Sequence, residues 1–179
     1  GNGADSGSVR LYKNTAGTWA QIGGNIDGEA AGDQSGHSVS LSSDGSVVAI
    51  GAPYNDGNGS NSGSVRLYTN TGGTWAQIGG NIYGEAANDY YGYSVSLSSD
   101  GAVVAIGAIF NDGNGTDSGS VRVYKNTSGT WVQIGGDIDG EAANGQSGYS
   151  VSLSSDGSVV AIGAIYNDGN RSNSGYVRF

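Results

Sequence analysis

The chain has no cysteine, one proline, one histidine and only 7 basic residues against 16 acidic ones, for a net charge of −9. Without cysteine there is neither a disulfide framework nor thiol chemistry, although this does not identify a compartment. The basic residues are spread out, which argues against the clustered stripe a nucleic-acid partner needs. The single histidine, His37, is replaced by Tyr93 and Tyr149 at matching positions, so it reads as a strand residue and not as a general base. No serine sits in a G-x-S-x-G turn, no histidines keep metal-ligand spacing, and no glycine loop is followed by lysine and a helical pattern. No apolar run is long enough for a membrane helix, and no targeting segment opens the chain.

What is abundant is glycine, 35 residues of it, distributed with strict periodicity. The stretch GHSVSLSSDGSVVAIGAPYNDG at 36–57 returns at 92–113 and 148–169, so one unit of 56 residues recurs with few changes. Ser38-Val39-Ser40-Leu41-Ser42 alternates polar and apolar side chains, the mark of a strand with one buried face. Ser43-Asp44-Gly45 then supplies a tight reversal, since Asp and Gly accept the positive φ that a short hairpin demands. The continuous apolar run Val47 to Ala52 predicts a central strand buried on both faces.

Each unit therefore holds four strands, at 38–42, 47–52, 64–70 and 74–82 in the first complete copy. Trp19, Trp75 and Trp131 fall one per unit on the fourth strand and are predicted to anchor each unit against its neighbour. Arg10, Arg66, Arg122 and Arg178 recur in step with Glu29, Glu85 and Glu141, which suggests a repeated ion pair that fixes register more than it adds stability. Four antiparallel strands with an aromatic anchor make a propeller blade. The fold class is thus all-β: an open three-blade segment of a larger propeller or repeat array. Residues 1–35 form a partial blade (outer hairpin and link), 36–91 and 92–147 are blades, and 148–179 is a second partial blade.

Where GHSVSLSSDGSVVAIGAPYNDG meets SGSVRLY, the chain resembles the FG-GAP repeat of integrin-α-type β-propellers. The Phe-Gly position corresponds to Ser35-Gly36, Tyr91-Gly92 and Ser147-Gly148, and Gly-Ala-Pro to Gly51-Ala52-Pro53, Gly107-Ala108-Ile109 and Gly163-Ala164-Ile165. The calcium loop found in many such repeats is reduced here to Ser43-Asp44-Gly45, whose one carboxylate cannot supply the six to eight oxygens calcium takes. Metal binding is therefore not carried over from the family, and no cofactor is implied. A weaker metal candidate, with oxygen side chains at alternate positions but no closing Glu, is Asp56 and Asn58 with the copies Asp112, Asn114, Asp168 and Asn170. A propeller needs at least four blades, and residues 4–11 duplicate 172–179, so the two ends would compete for one slot. An excerpt of a longer array, or a protomer completed by neighbours, fits this pattern.

Glycosylation sequons stand at Asn58, Asn114 and Asn170, with another at Asn126. The second unit differs from the others in carrying Tyr83, Tyr90, Tyr91 and Tyr93, a candidate contact patch for protein or sugar. The functional expectation is a non-enzymatic, extracellular or cell-surface structural or adhesive module that contacts neighbouring copies of its own repeat, other extracellular proteins or glycans. A carbohydrate-binding propeller is the alternative, and a catalytic propeller comes third.

Overall fold

The computed structural model describes residues 2–167 and 175–178. Every regular element in them is a strand: β1 (Ser8–Val9), β2 (Tyr12–Thr15), β3 (Thr18–Gln21), β4 (Ile26–Asp27), β5 (Ser38–Leu41), β6 (Val47–Ala52), β7 (Ser64–Thr71), β8 (Thr74–Gln77), β9 (Ile82–Tyr83), β10 (Tyr91–Leu97), β11 (Val103–Ala108), β12 (Ser120–Thr127), β13 (Thr130–Gln133), β14 (Ile138–Asp139), β15 (Ser147–Leu153), β16 (Val160–Ala164) and β17 (Tyr176–Arg178). Strands β5-β6-β7-β8 form one antiparallel meander and β10-β11-β12-β13 its copy, while β15-β16-β17 repeats the first three strands.

In the reversal between β5 and β6 the positive φ expected of Asp and Gly is taken by Gly45 alone, while Asp44 acts through its carboxylate. Gly45 takes a φ of 70°, and Asp44 accepts hydrogen bonds from Ser42 Oγ at 2.7 Å and from the Ser46 amide at 2.9 Å. These bonds hold the Asp44 carboxyl down to about 2, and the same turn holds Asp156 down to about 2. The central strands β6 and β11 are buried along their whole length.

The fourth strand is one feature that periodicity did not resolve. It is split, β8 pairing with the far half of β7 through Tyr68↔Gln77 and β9 with the near half through Val65↔Ile82. The chain leaves the ladder between them through Ile78-Gly79-Gly80-Asn81 and repeats this at 134–137.

The core lies between units. Val47, Ala49, Val65 and Leu67 of one meander share a buried cluster with Val95, Leu97, Val104 and Ile106 of the next. Val103, Ala105 and Val121 pack in turn with Ile162 of the third unit. The serines of the alternating strand do not simply face solvent. Ser38 Oγ donates to Gly92 O at 2.8 Å and Ser94 Oγ to Gly148 O at 2.7 Å. Ser40 Oγ and Ser96 Oγ accept from the Leu97 and Leu153 amides, each at 3.0 Å. In β10 both faces are therefore engaged, the apolar one with the preceding unit and the serine one with the following unit, whereas in β5 the serine face is engaged and Val39 and Leu41, expected on a buried face, are exposed.

Candidate functional site

The junction between consecutive units repeats most of the sequence-predicted residues in one arrangement. Trp75 Nε1 donates to Ile22 O at 2.9 Å and Trp131 Nε1 to Ile78 O at 3.0 Å, so each half-buried indole is pinned to the preceding unit. Trp19, expected to anchor its unit in the same way, is instead 67% exposed, and that expectation is corrected for it.

The arginines are less uniform than their spacing. Arg122 lies 3.4 Å from Glu85 and 3.8 Å from Asp137, and Arg178 lies 3.9 Å from Glu141. Arg66 instead donates to Tyr68 Oη at 2.9 Å, Asp27 O at 2.9 Å and Ser35 Oγ at 3.1 Å, while Glu29 accepts from Asn81 Nδ2 at 2.7 Å. The expectation of one identical pair per unit is corrected here. Arg66 reaches the Ser35 hydroxyl, whereas Tyr91 fills that place in the next unit and Arg122 lies over its ring, 4.7 Å from the centroid. Arg66 and Arg122 are both buried, and Arg10 is exposed.

The four tyrosines of the second unit go to separate environments instead of forming one patch. Tyr91 is wholly buried, which removes it from the contact surface and makes it a core residue at the Phe-Gly position. Burial pushes its hydroxyl well above the usual tyrosine range. The register shifts between Tyr91 and Ser94, so neighbouring side chains leave the strand in different directions. Tyr90 stands edge-on between Tyr54 and Phe110, with centroids 5.0 and 5.1 Å away, beside a cleft of about 530 Å³ that Glu85, Asp112 and Asp117 also line. Tyr93 sits in a file with His37 and Tyr149, at 4.8 and 5.2 Å. The Tyr149 hydroxyl and partial burial push Tyr93 up to about 12. Tyr83 is 41% exposed and accepts from Asn81 Nδ2 at 3.0 Å.

The asparagines read as sequons or metal ligands hold the backbone together. Asn58 Nδ2 donates to Gly84 O at 2.9 Å and Glu85 O at 3.0 Å, and Asn114 Nδ2 donates to Gly140 O at 2.9 Å. Asn2 does the same to Gly28 O at 2.8 Å. A glycan on Nδ2 would have to replace one of those bonds, so the structure assigns Asn58 and Asn114 to a clamp between loop and link. Their 56-residue recurrence was the available signal. Asp56 Oδ1 and Asp112 Oδ1 each accept from a backbone amide five residues on, at 2.8 Å. Among the described residues no group of three or more His, Cys, Asp or Glu is placed to hold a metal. In the outer hairpin Asn126 Oδ1 accepts from the Gly129 amide at 2.8 Å. Asp168 and Asn170 lie outside the described residues.

Comparison with known proteins locates these features. The FG-GAP repeat family matches residues 27–68 and 84–124. No curated protein matches the chain. Among solved structures, a Bacteroides uniformis protein named as a 6-phosphogluconolactonase superposes with a TM-score of 0.57 at 16% identity, covering 96% of this chain and 51% of its own. A Bacteroides fragilis protein of the same name gives 0.54 at 15% identity, covering 75% and 34%. The hydrazine synthase of Kuenenia stuttgartiensis gives 0.54 at 13%, covering 96% and 43%. The chain thus spans between a third and about half of the solved chains it resembles. Residues 27–68 and 84–124 are FG-GAP-like repeats, carried on an open, all-β fold of propeller-type blades.

Proposed function

We propose that this chain is a non-enzymatic interaction module, extracellular or at the cell surface, whose repeats serve as a scaffold and stack on neighbouring copies of the same unit. One observation carries the reading. Val95, Leu97, Val103 and Val121 are buried at internal junctions, at 9, 7, 7 and 0% exposure, whereas their repeat counterparts Val39, Leu41, Val159 and Val177 are 53–54% exposed on the two outermost faces. Those faces are shaped to receive another unit, from the same chain or a second one, because the residues that fit there already do so twice inside the array.

Sedimentation velocity over a concentration series tests this. Reversible association of the chain is expected, and Leu41→Lys at one end or Val159→Lys at the other is expected to weaken it. Isolated monomers at every concentration would count decisively against the scaffold. The solved neighbours named for a lactonase are too distant in sequence to carry an activity across. Hydrolysis of 6-phosphogluconolactone by the purified chain would overturn the non-enzymatic part.

A further inference from the structure

The outer flank of the array carries the same cavity twice. Between the first two units a pocket of about 400 Å³ is lined by Gly24, Asn25, Asp27, Tyr68, Thr74 and Trp75. Between the next two, a pocket of about 380 Å³ is lined by Gly80, Asn81, Tyr83, Tyr124, Thr130 and Trp131. Five of these six pairs are exact repeat partners by type, and Asp27 and Tyr83 occupy the one position that varies.

We propose that each pocket binds a neutral pyranose unit of a glycan, which makes the array a multivalent sugar binder. The volume lies within the range of small-ligand pockets. The half-buried Trp75 and Trp131 rings offer the apolar surface on which the CH face of a sugar stacks, each backed by a buried tyrosine, Tyr68 or Tyr124, and their positions are fixed. Trp75 and Trp131 are held through Nε1 to the preceding unit at 2.9 and 3.0 Å, and Tyr68 accepts from Arg66. The Asn25 amide nitrogen, the hydroxyl of Thr74 or Thr130 and the glycine backbone offer donors and acceptors for sugar hydroxyls, whereas the Asn81 amide is engaged by Gln77, Glu29 and Tyr83 and must exchange a bond to take part. Glu29 lies against Asn81 at 2.7 Å, and the chain as a whole carries −9, so acidic or sulfated sugars are repelled. The aromatic and polar residues of the pockets are not those of the two end faces, Val39, Leu41, Val159 and Val177, so this assignment stands or falls independently of unit stacking.

The glycine pair explains why the pocket is open. A Cβ on Gly23 would collide with Gly73 O and the Trp75 ring, so that glycine serves packing. A Cβ on Gly24 or Gly80 would meet nothing within 4 Å, and neither residue needs a positive φ. Leucine at these two lining positions is therefore expected to obstruct the pockets without straining the backbone.

The test uses a Trp19→Phe variant of the full chain, in which Trp75 and Trp131 are the only tryptophans and are excited selectively over tyrosine. It is titrated with methyl α-mannoside, methyl β-galactoside, N-acetylglucosamine and glucuronate. A saturable emission shift is expected with at least one neutral sugar, at two equivalents per chain. Glucuronate, and the doubly substituted Gly24→Leu, Gly80→Leu protein, are expected to show affinity at least about ten-fold lower. If the leucine protein melts at a lower temperature, Asn25→Ala with Asn81→Ala takes its place. The proposal is overturned if no neutral sugar shifts the emission, if glucuronate binds equally well, or if the pocket variants bind as the parent does. Binding lost only on Tyr90→Ala would move the site to the Tyr90 cleft and equally overturn it.

Discussion

Gly51 of one unit lies directly beneath the carbonyl oxygen of Gly92 in the next, so close that a Cβ on Gly51 would overlap it. Gly51 opens the Gly-Ala-Pro motif and Gly92 closes the Phe-Gly motif, so the glycines of the two motifs meet across the junction between units. Gly107 and Gly148 repeat the contact. The two motifs are one contact written in two places.

Gly51→Ala and Gly107→Ala are each expected to destabilise the chain by about 1–3 kcal/mol, the usual cost of overpacking. At Gly163 the atoms nearest an added Cβ all belong to Ser150, and the close one is its rotatable Oγ. Gly163→Ala should therefore cost less. Urea denaturation of the three variants checks the order, and equal losses would refute the contact's importance.

The tryptophans are expected to divide by position. Trp75→Ala or Trp131→Ala removes a half-buried ring and its bond to the preceding unit, for a loss of about 2–3 kcal/mol, somewhat below the roughly 3–5 kcal/mol of a fully buried Trp. Trp19→Ala, at an exposed site, should stay within about 0.5 kcal/mol of the parent. Thermal melts separate the two outcomes.

Acid should loosen the hairpins in a defined window. Asp44 and Asp156 titrate near 2 in the folded chain, and Asp100 is likewise lowered by Ser98 and the Ala102 amide. A carboxyl whose folded pKa is depressed contributes stability above its unfolded value of about 3.9, and loses it as pH falls through the folded value. Stability measured by chemical denaturation should therefore fall from about pH 4 towards pH 2. Asp44→Asn should flatten part of that slope.

Alkali acts through Tyr93, which is held protonated up to about 12 by Tyr149 and partial burial. The folded state keeps a proton that the unfolded state releases near pH 10, so stability contributed by the aromatic file is present below about pH 10 and is lost as pH rises through 12. Ultraviolet titration should show late phenolates, Tyr91 among them, and Tyr93→Phe should remove one of them. Titration of every tyrosine near pH 10 would contradict the stacked file.

The sequence by itself determined the 56-residue period, the all-β class, the Asp-Gly reversals and the buried central strands. Each of these is local, because hairpin turns and strand alternation depend on residues a few positions apart. Only the tertiary structure decided what faces what. Ser38 and Ser40 have the alternation of a solvent-exposed face, yet they bond the next unit, because a polar residue at an interface and one in water leave the same pattern in a sequence. Tyr91 stands in a tyrosine-rich link yet is wholly buried, and Asn58 matches a sequon yet clamps a backbone 26 residues away. These outcomes depend on how one unit seats on the next, and that seating is fixed by contacts between residues more than fifty positions apart.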